Sequence, residues 1–356
     1  MIVILFYCNQ EILNMAEKKG KNISGLIRMI LKTGIAAAVI RWLYCRYAGS
    51  LSAVFAGFDY LLLIPVFCLS VFSTAVASLR WRCLAAPLGI DLSCGKAFSL
   101  TMQGIFFSLV IPGGAIGGDV IKMAALSGHL KNGSRTEGIF SILMDRIIGM
   151  ISLFLTALIL LLYSRSLFAA VKFPDFPNAP AGMFLWWLLA GVCAAGTAAG
   201  CLVFIHRKLE KLPGVKTVLT FADKKSSGKV TRILNAVDIY TGEKKKIIFW
   251  IVVTTFAIHL APALSLALLL NAAGASVNII TVLPAVVIGN IAGLLPLFPG
   301  GIGARDAVTV ALLNVAGYSP EAAAAAQIMA TIILVFFNLT GAIFFIADRK
   351  RPEIAK

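Results

Sequence analysis

The chain has 356 residues, of which 59% are hydrophobic and only 13% are charged. A soluble domain normally has about 25% charged residues, so this composition excludes an ordinary soluble protein and predicts a membrane protein. The net charge is +16. The basic residues lie in short segments between apolar runs, which is typical of loops that face anionic lipid and argues against nucleic-acid binding.

Six apolar runs are long enough to cross a bilayer as helices, which takes about 20 apolar residues. They cover 24–45, 59–79, 137–163, 182–205, 247–270 and 322–347. We expect 24–347 to form one transmembrane domain, preceded by a cytoplasmic leader (1–23) and followed by a cytoplasmic tail (348–356). Because Met15 is followed by AEKKGK, typical of a cytoplasmic leader, we expect the native start at Met15 instead of Met1.

The distribution of Lys and Arg predicts which side of the membrane each loop faces, because cytoplasmic loops are enriched in them. The segment 206–246 has eleven basic and four acidic residues, whereas 271–280 has no charged residue. The prediction is a multi-pass protein of the cell (cytoplasmic) membrane. Both termini and the basic loop 206–246 are expected in the cytoplasm, and 46–58, 164–181 and 271–280 outside.

Two further apolar runs, 97–111 and 278–298, each end in a Pro/Gly cluster and then restart as a short helix. The loops that flank each unit are predicted on one side of the membrane, so each unit is expected to enter and leave on that side. The predicted fold class is an all-α integral membrane protein. It has about six full transmembrane helices plus two oppositely oriented re-entrant hairpins, in the manner of an inverted repeat. The alternative is that 278–298 crosses the membrane alone.

The two Pro/Gly clusters resemble each other in sequence, and matching interruptions in two halves of a chain indicate a transporter's binding site. Glycines let the backbone approach a ligand closely, and a restarting helix N-terminus favours an anion such as a phosphate. Nearby cations can add charge-assisted hydrogen bonds to the same anion. The predicted substrate-binding residues are Gly113, Gly114, Gly117, Gly118, Asp119, Lys122, Arg146, Pro299, Gly300, Gly301, Gly303, Arg305 and Asp306.

Several polar residues also have a purely structural interpretation. Asp119 and Asp306 could simply cap their helices. Arg80 and Arg82 flank a tryptophan at a helix end, which is typical of interfacial anchors. Polar residues in apolar helices more often form interhelical hydrogen bonds than bind ligands; here these are Gln103, His259, Asn290 and Asn338. As secondary candidates for substrate binding we retain Arg80, Arg82, Gln103 and Asn290.

Four motifs, RWRCLAAPLG, IPGGAIGGDVIKMAAL, DRIIG and PLFPGGIGARDAV, resemble successive motifs of the lysylphosphatidylglycerol synthase transmembrane (flippase-like) family. The resemblance covers roughly 24–347. Lys122 stands where the family usually has arginine, and Asp306 where it often has glutamate. Bifunctional members join this domain to a soluble aminoacyl-transferase domain, and we expect a stand-alone member here because the chain ends shortly after 347.

The resemblance implies translocation of a phosphate-bearing lipid, and the expected partners are membrane lipids. An anionic or aminoacylated phospholipid and a polyprenyl-phosphate-linked lipid remain open, as does a separate lipid synthase. The alternatives are an ion-coupled transporter of a small anion and a membrane-embedded lipid-modifying enzyme. The sequence has neither a nucleophile elbow nor a His/Asp/Glu grouping with ligand spacing, so we predict no catalytic residues, no metal site and no cofactor.

Overall fold

A computed structural model of the protein describes residues 52–111, 115–127, 135–171, 181–204, 207, 220–221, 223, 237–294 and 303–349. The regular structure in these ranges is helical. The α-helices are α1 (Leu63–Ala85), α2 (Cys94–Val110), α3 (Ala115–Ser127), α4 (Arg135–Tyr163), α5 (Arg165–Ala169), α6 (Ala181–Phe204), α7 (Lys244–Thr254), α8 (Ala261–Ala272), α9 (Ile279–Ala292), α10 (Ala304–Val315) and α11 (Pro320–Arg349). A π-helical segment, Thr255–Leu260, joins α7 to α8.

Five helical stretches are long and apolar enough to cross a membrane. They are Tyr60–Leu88, Thr136–Tyr163, Gly182–Phe204, Lys244–Ala272 and Pro320–Asp348. Five of the six predicted spans are therefore confirmed as helices of membrane-crossing length. The sixth, 24–45, lies outside the described residues, as does most of the basic loop 206–246.

Large apolar side chains remain exposed along these stretches. Phe184, Trp187 and Phe336 are examples, with 71%, 65% and 61% of their surface accessible. An extended apolar exterior of this kind is unfavourable in water and fits contact with lipid tails. The described part of the chain is therefore that of a multi-pass membrane protein.

Each interrupted run is a helix followed by a second helix, as the sequence predicts: α2 ends at Val110 and α3 begins at Ala115, and α9 ends at Ala292 and α10 begins at Ala304. The helix α9 has 14 residues, which is about 21 Å at 1.5 Å per residue and less than the roughly 30 Å of a hydrocarbon core. Its contacts with α10 run in opposite chain directions, because Gly289 lies against Thr309 while Gly293 lies against Arg305. The unit α9–α10 is therefore an antiparallel helical hairpin.

The first unit, α2–α3, is also closely packed. A methyl group added at Gly118 would collide with the carbonyl oxygen of Gly104, so only glycine permits this approach of the two backbones. On its other side α2 packs against α11, where Gly341 lies against the Met102 carbonyl in the same way. The helix α11 contacts both α2 and α10, so it joins the two units.

Candidate functional site

Arg305 and Asp306 lie in the first turn of α10, which begins at Ala304. Gly303 precedes them with a φ of 96°, in the left-handed region that favours glycine. The Asp306 carboxylate accepts a hydrogen bond from the Gly303 N–H at 3.0 Å, which satisfies one of the unpaired donors of the helix N-terminus. The predicted capping role of Asp306 is therefore confirmed.

The other carboxylate oxygen of Asp306 accepts hydrogen bonds from side chains. Its Oδ1 accepts from Arg305 Nη2 at 2.8 Å and from Gln327 Nε2, on α11, also at 2.8 Å. Arg305 Nη2 also donates to Thr331 Oγ1 at 3.2 Å. Asp306 is buried, so these contacts hold the Arg305 guanidinium in a fixed orientation between α10 and α11.

A cavity of about 340 Å³ lies beside this group. It is enclosed by three of the membrane-crossing stretches together with α9 and α10, and Ile105 of α2 also reaches it. Arg305 is the one ionisable side chain among the described residues that line it. Among the described residues of its wall, the cavity therefore presents one fixed cation and no other charge.

The other polar side chains of the described cavity wall carry hydroxyls and amides. The helix α1 contributes Ser70 and Ser73, α9 contributes Asn290, and α11 contributes Gln327 and Asn338. Polar groups inside a membrane bundle are costly unless they are paired or serve a ligand. A wall with these groups and one guanidinium can bind a ligand that has one negative charge and several hydrogen-bonding atoms.

The other two predicted cations, Lys122 and Arg146, have surroundings different from those of Arg305. Arg146, on α4, forms a two-pronged ion pair with Asp119, on α3, at 2.6 and 2.7 Å. The Lys122 ammonium is buried and lies 3.6 Å from the centre of the Trp81 ring, a cation–π contact. Neither Lys122 nor Arg146 lines the cavity beside Arg305. The structure therefore groups the predicted cations in two clusters, and not around one point.

Arg80 was expected to be an interfacial anchor, and that expectation is wrong. Its side chain is buried, and it donates to Asp145 at 2.7 Å and to Thr254 at 2.9 Å. Arg80 can be buried because Asp145 provides its countercharge, whereas the adjacent Arg146 pairs with Asp119. Arg82 instead donates to the Leu92 carbonyl at 2.5 Å, which ties the end of α1 to the following loop.

Some predicted site residues cannot be placed. Gly113, Gly114, Pro299, Gly300 and Gly301 lie outside the described residues. Gly117 and Gly118 are described and buried in α3. Their role as substrate-binding residues stays a prediction.

The polar residues predicted as interhelical bonds divide into two groups. Gln103 donates to Asp348 of α11 at 3.1 Å, and His259 has a hydrogen bond to the Gly149 backbone, so both confirm the expectation. Asn290 and Asn338 line the cavity instead. Gln327 was missed by the sequence reasoning, although a glutamine within an otherwise apolar span is the signal that could have identified it.

The π-helical segment was also missed. His259 lies in it, and its Nε2 is buried without a partner among the described residues. The Pro262 that follows cannot donate a backbone hydrogen bond, which is the local signal for an irregular turn here. Within the same described ranges, no group of three or more His, Cys, Asp or Glu side chains is placed to hold a metal ion.

Comparison with known proteins supports the resemblance of the motifs. The family described as the lysylphosphatidylglycerol synthase TM region matches residues 29–341. A UPF0104 membrane protein of Methanothermobacter thermautotrophicus is 20% identical over 274 residues, which are 73% of this chain and 77% of that protein. Another UPF0104 membrane protein, from Pyrococcus horikoshii, is 23% identical over 296 residues, which are 82% of this chain and 87% of that protein.

Proposed function

Because the chain belongs to the family of the lysylphosphatidylglycerol synthase transmembrane region, we propose that it moves a phosphate-bearing lipid between the leaflets of the cell membrane. The observation that supports this most directly is the guanidinium of Arg305, which faces a cavity among membrane-crossing helices. A guanidinium matches the oxygens of a phosphate in geometry and charge. The headgroup would occupy the cavity while the acyl chains stay in lipid.

In this mechanism α9–α10 is a re-entrant hairpin, entering from the outer side, and α2–α3 is its counterpart from the cytoplasm. The short length of α9 supports re-entry over a complete crossing. Both termini are on the cytoplasmic side. Alternating exposure of the cavity would come from movement of one half against the other, as in other transporters with broken helices.

The two cation clusters would act in sequence on the same headgroup. Arg305 binds the phosphate in the cavity, and Arg146, whose side chain is half-exposed despite its pairing with Asp119, offers a second contact nearer the first hairpin. Lys122 contributes positive charge from its place over Trp81. No covalent step is needed, so the proposal is that of a transporter and not of an enzyme.

Leaflet exchange in proteoliposomes tests the proposal. The protein is reconstituted with a phospholipid that has a fluorescent acyl chain, and dithionite quenching measures exchange. Loss of one hydrogen bond to a charged group corresponds to about a 10- to 100-fold change, so Arg305→Gln should slow exchange by that order. Arg305→Lys should have a smaller effect, because lysine keeps the positive charge and loses only the two-pronged hydrogen bonding of the guanidinium.

The matched control is Arg165→Ala, which removes an exposed cation that does not line the cavity. It should exchange lipid at the wild-type rate, and gel filtration should give the same profile for all variants. If wild-type protein exchanges no lipid beyond empty liposomes, the proposal is wrong. Uptake of small anions into the same liposomes then becomes the test, because a cation that lines a cavity between helices also suits that substrate.

A further inference from the structure

We infer that the headgroup taken by the cavity is a phosphate monoanion joined to a neutral, hydroxylated group such as glycerol or another polyol, and not a cationic aminoacylated headgroup. This inference rests on the proposed function and specifies its substrate class. Three features of the described cavity wall support it: its charge, its uncommitted hydrogen-bonding atoms and its size.

The charge of the wall disfavours a cationic headgroup. The described lining residues include Arg305 and no acidic side chain. The neighbouring carboxylate, Asp306, has both oxygens occupied, Oδ2 by the Gly303 N–H and Oδ1 by Arg305 and Gln327. An ammonium group in the cavity would therefore lie beside a guanidinium without a carboxylate to receive it, at a high cost in a membrane interior.

The same pairing limits the negative charge that the site accepts. Asp306 offsets part of the Arg305 charge, since it accepts from both Nε and Nη2 at 3.0 and 2.8 Å. What remains for a ligand is the Nη1 edge of the guanidinium, which makes no hydrogen bond within the described part of the chain. This suits a phosphodiester with one negative charge better than a doubly charged phosphomonoester.

Two amides of the wall have no side-chain hydrogen bond within the described part of the chain. The side chains of Asn290 and Asn338 both line the cavity, and neither makes a hydrogen bond to another described residue. Each amide provides donors and an acceptor, which matches a hydroxyl group because a hydroxyl both donates and accepts. A headgroup made only of methyl or quaternary ammonium groups would give these amides no hydrogen-bond partner, which is unfavourable.

Hydroxyls of the wall add acceptors. Ser70 donates to the Val66 carbonyl at 3.1 Å and Thr309 donates to the Arg305 carbonyl at 2.8 Å. Their protons are therefore committed to the backbone, while their oxygen lone pairs stay available. Such oxygens accept hydrogen bonds from the hydroxyls of a polyol and gain nothing from a headgroup without donors.

The cavity volume is compatible with a small headgroup. About 340 Å³ is near the lower end of the roughly 300–1,000 Å³ found for small-molecule pockets. It accommodates one phosphate with a small polyol. The apolar side chains of the same wall, such as Ile333 and Phe337, are suited to the first carbons of the lipid and not to a second charged group.

Comparison of exchange rates for different lipids tests this inference. Wild-type protein is given acyl-labelled phosphatidylglycerol, phosphatidylmethanol, phosphatidylcholine or lysyl-phosphatidylglycerol in separate liposomes. Phosphatidylmethanol has the same single charge as phosphatidylglycerol but no headgroup hydroxyl. Phosphatidylglycerol should exchange fastest, phosphatidylmethanol more slowly, and the zwitterionic and cationic lipids slowest.

Variants of the amides provide the second comparison. Asn290→Leu and Asn338→Leu remove the amide at nearly constant volume, and each should slow phosphatidylglycerol by about three- to tenfold while leaving phosphatidylmethanol unchanged. The matched control is Asn271→Leu, at an exposed position outside the cavity. It should affect no lipid.

A binding measurement keeps the inference testable if a variant transports poorly for other reasons. Short-chain phosphatidylglycerol should raise the Tm of the detergent-solubilised wild type more than short-chain lysyl-phosphatidylglycerol or short-chain phosphatidylmethanol does, and Asn290→Leu should remove only the difference from phosphatidylmethanol. Exchange of lysyl-phosphatidylglycerol as fast as phosphatidylglycerol would overturn the inference and leave the proposed function intact. Equal rates for phosphatidylglycerol and phosphatidylmethanol would overturn the hydroxyl requirement. Absence of exchange for every lipid would overturn the proposed function itself.

Discussion

At the scale of single residues, the buried ion pair of Arg80 and Asp145 shows how charge is held inside the bundle. Arg80 also donates to Thr254, and a methyl group added at Gly149 would lie 3.4 Å from its guanidinium. The pair therefore joins α1 to α4 and α7 through one planar group. A buried charge of this kind is stable only while its partner is present.

Removal of one partner should be costly. We expect Asp145→Asn to lower the free energy of unfolding by about 3–5 kcal/mol, because it leaves Arg80 buried without a countercharge. The double variant Arg80→Met with Asp145→Leu should lose much less, since both charges are removed together. Thermal unfolding of the purified protein in detergent measures the difference.

The control for this prediction is the ion pair of Arg207 with Asp238, in which the Arg207 side chain is 70% exposed. Asp238→Asn should cost less than about 1 kcal/mol, as is usual for exposed pairs. If Asp145→Asn were no more destabilising than Asp238→Asn, the buried pair would have no special role in stability.

At the scale of helices, close backbone contact holds both broken units together. In the first unit Gly118 of α3 touches the Gly104 carbonyl of α2, and in the second Gly289 of α9 lies against Thr309 of α10. Small residues at helix crossings are the usual means of association in membranes, where no hydrophobic force drives helices together. The relative position of the two helices in each unit therefore depends on these glycines.

We expect Gly118→Ala to destabilise the protein by about 1–3 kcal/mol, because the added methyl group must push α2 and α3 apart. The matched control is Gly191→Ala, within α6, where an added methyl group has no neighbour within 4 Å among the described atoms. That variant should be neutral or slightly stabilising because alanine favours helix. Equal Tm values for the two variants would contradict the close packing of α2 and α3.

At the scale of the whole molecule, the arrangement of helices makes a prediction about sidedness. The loops at 242 and 276 lie at opposite ends of the stretch Lys244–Ala272, which is long enough to cross the membrane once. Between 276 and the turn that joins α10 to α11, the chain passes through the two helices of the hairpin α9–α10. If α9–α10 is re-entrant, 276 and 319 are on the same outer side.

Cysteine labelling measures this. In a cysteine-free background, a membrane-impermeant thiol reagent should label Ser276→Cys and Ser319→Cys on intact cells, and Gly242→Cys only after permeabilisation. All three positions are exposed, so accessibility to the reagent is comparable. Labelling of 276 and 319 from opposite sides would exclude re-entry of the second hairpin, and labelling of 242 from outside would reverse the predicted orientation.

The sequence alone was sufficient to identify a membrane protein, the five helices of membrane-crossing length found among the described residues, and the two interrupted apolar runs. These features depend on local properties, namely the length of apolar runs and the conformational limits of Pro and Gly, and both are visible along the chain. The family was also evident from motifs, because its most distinctive residues are contiguous. Capping of α10 by Asp306 also depends on residues close together in the chain.

Only the tertiary structure decided how the charged and polar residues are grouped. Sequence placed Arg305, Lys122 and Arg146 in one set, but Arg305 faces the cavity while the other two lie with Asp119 and Trp81. The ion pair of Arg80 with Asp145 and the contact of Gln327 with Asp306 were likewise decided by helix packing. The physical reason is that an ion pair or a cavity wall joins residues from helices far apart in the chain, so partner choice depends on helix packing and not on spacing along the sequence.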